Sequence, residues 1–323
     1  MTLRITARAE TWPIAGSFVI SRGSRTEVTV VVAEVSDGTS TGRAECVPYA
    51  RYGETIESVL ATIEAARIDG DRQALRHSMR PGAARNALDC ALWDLEAKRS
   101  GVPAWKLAGL VAPKPVVTCF TLSLGTPESM GDAARAAADM PLLKVKLGGD
   151  GDPERIRAVR AAAPHASLVV DANEAWSEAN FSANMRACGD ADVALIEQPL
   201  PAGADDFLRG VRRTVPICAD ESVHVTEDLD HLTGKYDGVN VKLDKAGGLT
   251  EALDLVGEAH RRGYRVMVGC MLATSLAMAP AMLIAQEADV VDLDGPLLLA
   301  KDRSPGLVYS GALVAPPSPI LWG

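Results

Sequence analysis

Histidine is scarce in this chain of 323 residues. The five present (His77, His165, His224, His231 and His260) fall in no metal-ligand spacing. Cysteine is sparse as well. Cys46, Cys90, Cys119, Cys188, Cys218 and Cys270 are widely scattered with no Cys-x-x-Cys pair, as expected of separate buried thiols in a reducing compartment. Basic charge is in deficit, with 33 Lys and Arg against 42 Asp and Glu, a net charge of -9. That argues against a nucleic-acid partner, which would want a basic face. It does not bar an acidic substrate, because a local cation can reverse the field. No apolar run reaches transmembrane length, and the opening MTLRITARAE has no apolar signal core. The expectation is a cytoplasmic protein with no membrane partner. Finally, no Gly-x-Gly-x-x-Gly follows a first strand, which counts against an open doubly wound sheet.

What is there is enough apolar residue, 47%, to bury a large core, in a length that suits two domains. From residue 114 onward one theme repeats: a short run rich in Val, Ile and Leu ends in polar residues, and a helical stretch follows. Eight such runs stand at 116–124, 142–148, 167–173, 193–200, 216–222, 238–244, 265–271 and 290–296. Near-continuous apolar character marks strands buried on both faces. Helices are predicted between them, at 127–140, 152–163 and 250–262 among others. Alternating strands and helices mean parallel β/α units, and eight of them close into a barrel. The first part reads differently. Residues 26–35 alternate as an antiparallel strand ending at Asp37-Gly38, and 83–99 is an amphipathic helix closing at Gly101. The predicted organisation is an α+β domain over residues 1–110, a barrel over 111–304, and a tail over 305–323 that packs back on the first part.

The C-terminal ends of the predicted strands carry the chemistry. Lys144 and Lys146 end the second, Asp171 the third, Glu197 the fourth, Asp220 the fifth, Lys242 the sixth, and Asp292 and Asp294 the eighth. The steps 146→171→197→220→242 are each one β/α unit, so successive residues are neighbours on the barrel rim where barrel enzymes place their sites. A lone Asp at a strand end is usually a cap or turn former, and a lone Lys-x-Lys a solvated edge. The joint placement is what carries weight. Three converging carboxylates repel and need a cation. Oxygen-only ligands select a hard ion, Mg²⁺ before zinc. That charge, with Lys144, would lower the pKa of Lys146 toward a working base, and Lys242 would serve the opposite face of the same carbon. One lysine would take a proton, the metal would hold the enediolate, and the other lysine would return a proton from the far side.

Lys-x-Lys, Asp-Ala-Asn, Glu-Gln-Pro, Ala-Asp-Glu-Ser and Lys-Leu-Asp-Lys, in this order and spacing, resemble the muconate lactonizing subgroup of the enolase superfamily. Lysine bases with Mg²⁺ are a known solution there. Residues 48–54 (PYARYGE), 81–95, 239–252, 269–272 (GCML) and 292–296 (DLDGP) resemble the bacterial L-Ala-D/L-Glu (dipeptide) epimerases, over nearly the whole chain. The resemblance implies a (β/α)7β TIM-like barrel capped by the N-terminal domain and the tail. It implies Asp171, Glu197 and Asp220 as Mg²⁺ ligands and Lys146 and Lys242 as acid/base groups. Asp292 and Asp294 would hold a dipeptide's α-ammonium, which suits two carboxylates. Arg22 first, or Arg25, would pair with the glutamate side chain from a loop over the site. The implied role is epimerisation of a small dipeptide in peptidoglycan recycling. An N-acyl amino acid racemase, a cycloisomerase or an o-succinylbenzoate synthase is the alternative in the same superfamily, and a non-catalytic binding relative is the alternative outside enzymes. Barrel enzymes often assemble into homo-oligomers, but no interface is legible in the sequence. Asp244 stays out of the expected site, and Gly247-Gly248 reads either as an anion site at a helix start or as close packing.

Overall fold

The computed structural model describes residues 3–323. It opens with an antiparallel sheet: β1 (Arg4–Ile20) and β2 (Gly23–Ser36) form a long hairpin with Ser21 and Arg22 at its tip, and β3 (Thr41–Cys46) pairs with β2. Three helices follow, α1 (Ile56–Ala65), α2 (Arg72–Ser78) and α3 (Ala83–Ser100), and α1 and α3 pack on the sheet. Thr55 and Asp71 start the first two by accepting backbone N–H groups of the opening turn. A short α4 (Ala104–Leu107) and β4 (Val116–Val117) lead to the second part.

That part is a curled parallel sheet of eight strands in chain order. They are β5 (Phe120–Leu122), β6 (Leu142–Lys146), β7 (Ser167–Asp171), β8 (Val193–Glu197), β9 (Ile217–Ala219), β10 (Gly238–Val241), β11 (Arg265–Val268) and β12 (Val290–Val291). Helices α5 (Pro127–Ala136), α6 (Asp152–Ala162), α7 (Glu178–Asp190), α8 (Leu229–Leu232), α9 (Leu243–Ala246), α10 (Leu249–Arg261) and α11 (Ser275–Ile284) lie between strands, and α12 (Gly295–Leu298) follows the last. The two edges of the sheet meet. Cys119 donates its N–H to Val291 O (2.8 Å), Leu293 N–H to Thr118 Oγ1 (2.8 Å), and Thr121 N–H to the Asp294 carboxylate (2.7 Å). At the N-terminal end, Val169, Leu195, Cys218 and Met267 form a small apolar cluster separate from the main core. Toward the C-terminal end the buried residues turn charged: Lys144, Lys146, Asp171, Glu197, Asp220, Lys242 and Asp292.

The run 116–124, expected as one strand, is two. Val116 and Val117 pair antiparallel with β14 (Leu313–Val314), itself paired with β13 (Tyr309–Ser310), and only Phe120–Leu122 joins the barrel. The chain changes partners at Thr118, whose N–H goes to Ala312 O, and Cys119, whose N–H goes to Val291 O. Beyond β14 the tail reaches α3: Trp322 donates its indole N–H to Cys90 O, and Gly323 N–H is accepted by Asp94.

The junction between cap and barrel is polar and specific. Arg85 of α3 donates to Ala246 O and Gly247 O, and Asp89 accepts both the N–H and the hydroxyl of Thr250 at the start of α10. Both readings of Gly247-Gly248 therefore meet here. The helix start does hold an anion, but it is the protein's own Asp89. A Cβ on Gly247 would lie 2.5 Å from Arg85 Nε and one on Gly248 2.5 Å from Asp89, and both residues have positive φ. Asp244 belongs to this junction as well, accepting Val47 N–H and the Asn86 side-chain amide.

Burial pushes the Asp244 carboxyl up to about 7, with Glu54 and Glu45 adding to it against the two hydrogen bonds. An unfolded Asp titrates near 4. The folded protein therefore binds the proton more tightly, and stability falls as pH rises from about 4 through 7. Thermal melts should show Asp244→Asn more stable than the parent at pH 8, by on the order of 1 kcal/mol or more, with the difference shrinking toward pH 5. Parallel melting curves at the two pH values would contradict this.

Candidate active site

The parallel ladder sets the site's geometry. Lys146 pairs in register with Asp171, and Asp171 with Glu197. Glu197 pairs with Cys218, and Asp220 follows two residues on, which returns the side chain to the same face. Lys144 stands two before Lys146 and Asn240 two before Lys242, so each is one layer deeper. Lysines thus flank three acids around the rim, as the spacing predicted.

The acids and lysines interlock. Lys144 Nζ lies 2.6 Å from Asp292 Oδ2, 2.7 Å from Glu197 Oε2 and 3.4 Å from Asp171 Oδ2. Lys146 Nζ is 2.6 Å from Asp171 Oδ2. Lys242 Nζ is 2.6 Å from Asp220 Oδ2 and 3.7 Å from Glu197 Oε1. Burial alone would lower the Lys144 and Lys242 ammonium groups, but the surrounding carboxylates outweigh it and hold both well above the ordinary lysine value. Conversely, burial would raise Asp220, yet Lys242 and Lys245 hold it well below the usual carboxylate range. Glu197 goes up, because burial and Asp171 outweigh the two lysines.

Ammonium groups stand among the acids, and no three His, Cys, Asp or Glu side chains of the described residues are grouped so as to hold an ion as they lie. The donor set nonetheless fits a hard cation. Of the buried side-chain N and O atoms left without a hydrogen-bond partner, Asn173 Oδ1, Glu221 Oε2, Asn240 Oδ1 and Asp292 Oδ1 belong to the barrel mouth, and all four are oxygens. Unsatisfied acceptors in one place call for positive charge.

A cavity of about 490 Å³ opens above this cluster. Lys146, Lys242, Asp220, Glu221 and Asn173 line its floor, and Phe18, Ile20, Arg22, Tyr49 and Tyr52 of the cap line its roof. A more open cavity of about 610 Å³ on the cap's outer side, lined by Leu3, Ile5, Arg67 and Asp69, holds none of these groups. Asp292 and Asp294 do not line the mouth cavity. Each is 3% exposed, Asp292 tied to Lys144 and Asp294 to Thr121 N–H. Burial and the neighbouring Asp292 push the Asp294 carboxyl up to about 7. Cys270, on the cavity wall, has its thiol raised by burial and by both of these charges.

The segment expected as a loop over the site is the tip of the β1–β2 hairpin, with Arg25 already inside β2. Arg22 reaches into the barrel. Its guanidinium is 2.9 Å from Glu221 Oε1, donates to Asn173 O and Tyr49 Oη, and lies 3.4 Å from Glu174. Burial together with Asp220 and Asp171 pushes Glu221 up to about 7, against Lys242 and Arg22. Arg25 lines the same cavity and makes no ion pair among the described residues.

Several site residues escaped the sequence reading although they sit inside the quoted motifs. Asn173 donates its N–H to Asp171 Oδ1, Asn240 its amide to Glu197 Oε1, and Lys245 its ammonium to Asp220. Asn240 lies in β10 two residues before Lys242, so the strand period alone would have put it on the same face. His224 is half-buried edge-on to Tyr52, and burial lowers its imidazole to about 4. The strand ends are also bent. Asn173, Glu174 and Gln198 have positive φ directly after Asp171 and Glu197, a strained conformation of the kind that clusters at functional sites. Gln198 ties two turns together, accepting Asp220 N–H and Ser222 N–H and donating to Leu200 O, Ser222 Oγ and Tyr236 Oη.

The mandelate racemase / muconate lactonizing enzyme N-terminal domain matches residues 2–109, and an enolase C-terminal domain-like family matches 129–317. The chain is 45% identical to an L-Ala-D/L-Glu epimerase of Escherichia coli K12 over 307 residues, covering 93% of this chain and 96% of that one. It is 43% identical to an N-acetyl-D-glutamate racemase of a Pseudoalteromonas species over 300 residues, covering 91% and 95%. Among solved structures, an enolase family member from Agrobacterium tumefaciens with homology to dipeptide epimerases, with bound sodium and L-Ala-L-Glu, superposes with a TM-score of 0.97 at 53% identity, covering 99% and 100%. A dipeptide epimerase from Methylococcus capsulatus complexed with Mg and L-Arg-D-Lys gives 0.89 at 28%, covering 98% of each chain. No helix among the described residues is long and apolar enough to cross a membrane.

Gln198→Ala would strip one buried and one part-buried N–H group of their acceptor and leave a hole at a strained turn. Urea unfolding should show a loss of about 2–4 kcal/mol. A midpoint within experimental error of the parent's would refute the tie between the two turns.

Proposed function

This chain belongs to the mandelate racemase / muconate lactonizing enzyme family of the enolase superfamily, and from that premise we propose that it is a magnesium-dependent dipeptide epimerase acting on L-Ala-D/L-Glu. The observation that carries the reading is the pair of lysines, Lys146 and Lys242, on the floor of one cavity and on either side of three acids.

In this reading Asp171, Glu197 and Asp220 hold the ion. When bound, Mg²⁺ supplies the charge that the three acids lack and stabilises the negative charge that develops at the substrate's carboxylate. The chain's own groups do the rest. Lys146 removes the α-proton of the C-terminal residue from one face, Lys242 delivers a proton to the other, and the stereocentre inverts without redox chemistry. Lys144, pinned between Asp292 and Glu197, adds fixed positive charge beneath Lys146. Asp292 and Asp294 stand behind Cys270 on the cavity wall and would have to be uncovered to take the substrate's α-ammonium, and the orphan Oδ1 of Asp292 is what supports that assignment. Arg22 pairs with the glutamate side chain in exchange for Glu221, with Arg25 the second choice. The cap roof closes the site from water, which strengthens each of these charge interactions.

A second reading is specific enough to keep. The N-acetyl-D-glutamate racemase is matched almost as well as the epimerase, and an N-acyl substrate would keep the glutamate half while dispensing with the ammonium partners. NMR in D₂O with Mg²⁺ decides between them. Exchange at the glutamate α-carbon of L-Ala-L-Glu, with N-acetylglutamate inert, supports the epimerase, and the reverse supports the racemase.

Two variant series test the roles. Lys146→Met and Lys242→Met should each lower epimerisation by about 10³-fold. Each should still catalyse deuterium exchange, but with opposite epimers. Exchange with the same epimer in both variants would refute the two-face assignment. Arg22→Met should raise KM for Ala-Glu by about tenfold or more, the worth of one charge-assisted pair, with a smaller change in kcat. An unchanged KM would remove Arg22 from the substrate's side chain.

A further inference from the structure

The three acids share a pattern that their proposed role does not require. One oxygen of each is held by a fixed donor and the other is left to lysines on long side chains. Asp171 Oδ1 accepts the backbone N–H of Asn173 (2.9 Å), Glu197 Oε1 the side-chain amide of Asn240 (2.7 Å), and Asp220 Oδ1 the ammonium of Lys245 (2.5 Å). The remaining oxygens face Lys146 and Lys144 at Asp171, Lys144 at Glu197, and Lys242 at Asp220, with the Asn173 amide a further neighbour of Asp171 Oδ2 at 3.2 Å.

Lys245 is the unusual member. It is 1% exposed, contributes nothing to the cavity wall, and so cannot touch a substrate there. Its nitrogen donates to Asp220 Oδ1, Asp220 O and Asn240 O, and three acceptors need the three protons of an ammonium. It lies in α9 after β10 and is clamped by two carbonyl oxygens, whereas Lys146 and Lys242 face the open cavity. Asn240 is fully buried and linked to it through that shared carbonyl.

We infer that Lys245 and Asn240 are positioning residues that set the size of ion the site accepts, by blocking the second oxygen of Asp220 and of Glu197. A carboxylate whose one oxygen is engaged by a fixed donor is held in one orientation and turns the other oxygen to the ion. Ca²⁺ gathers six to eight oxygens and often takes both from one carboxylate, whereas Mg²⁺ demands a compact octahedron and is served by single oxygens. The arrangement therefore disfavours the larger ion without any residue that contacts it. This inference rests on the reading of Asp171, Glu197 and Asp220 as the metal site.

Calorimetric titration of MgCl₂ and CaCl₂ into the parent, Lys245→Met, Asn240→Ala and Lys245→Arg tests it, with far-UV circular dichroism as the check on folding. Lys245→Met frees Asp220 Oδ1 and should raise the ratio of Ca²⁺ to Mg²⁺ affinity by about tenfold, the lower end of what second-shell changes do to metal binding. Asn240→Ala frees Glu197 Oε1 and should move the ratio the same way, which keeps the test open if Lys245→Met does not fold. Lys245→Arg keeps the cation and should hold the ratio near the parent's. Two affinities that move in parallel, leaving the ratio unchanged, would overturn the inference and reduce both residues to scaffolding. A parent that binds neither ion would overturn the metal reading itself, and the inference with it, before any variant is compared.

Discussion

Negative charge packed into a dry barrel mouth is the constraint on which the rest of this structure depends. Asp171, Glu197, Asp220, Asp292 and Asp294 are each 3% exposed or less. Carboxylates that close, out of water, cannot all stay ionised without cations among them. Lys144, Lys146, Lys242 and Lys245 supply those cations, and each carboxylate that they touch trades a lost water for a charge-assisted contact. The opposing pKa directions at one rim, with Asp220 held low and Glu197 and Asp294 held high, show how incomplete that neutralisation is. The acceptors left over are oxygens, the donor type that a hard cation takes.

The scaffold serves that concentration of charge in two ways. The parallel ladder places Lys146, Asp171 and Glu197 side by side with no side-chain contact needed to align them. The cap then keeps water off, and buried polar ties add to the apolar core that it shares with the barrel: Arg85 and Asp89 to the turn and helix after β10, and Asp244 back to Val47 and Asn86. Fastening the cap to the segment that carries Lys242 and Lys245 links the closing element to the groups it covers.

Much of this was legible because parallel β/α units repeat at a regular interval and put chemistry at strand ends. That is why Lys146 through Lys242 could be read as one rim. What stayed hidden depended on partners rather than period. Residues 116–124 read as one strand because nothing local marks the switch of hydrogen-bond partner at Thr118. Asp294 read as a binding residue, yet its carboxylate also joins the last strand to the first through Thr121, a contact between residues far apart in sequence. Asn240 and Lys245 look like filler within Val-Asn-Val-Lys-Leu-Asp-Lys until the oxygens they hold are seen.

The hairpin tip has a consequence for the economy of binding. Arg22 is already satisfied by Glu221, Asn173 O and Tyr49, so an anion that reaches it makes no new ion pair but displaces an old one. Capture at that point is a ligand swap, and the pair that is broken offsets part of what the new pair contributes. Glu221 is itself buried beside Arg22, so a displaced partner would stay near enough to reverse such a swap, and what the tip gained in selectivity it would not keep as residence time. A grip of that kind favours throughput over retention, which suits a reaction whose reactant and product differ only in handedness and must leave as easily as they arrive.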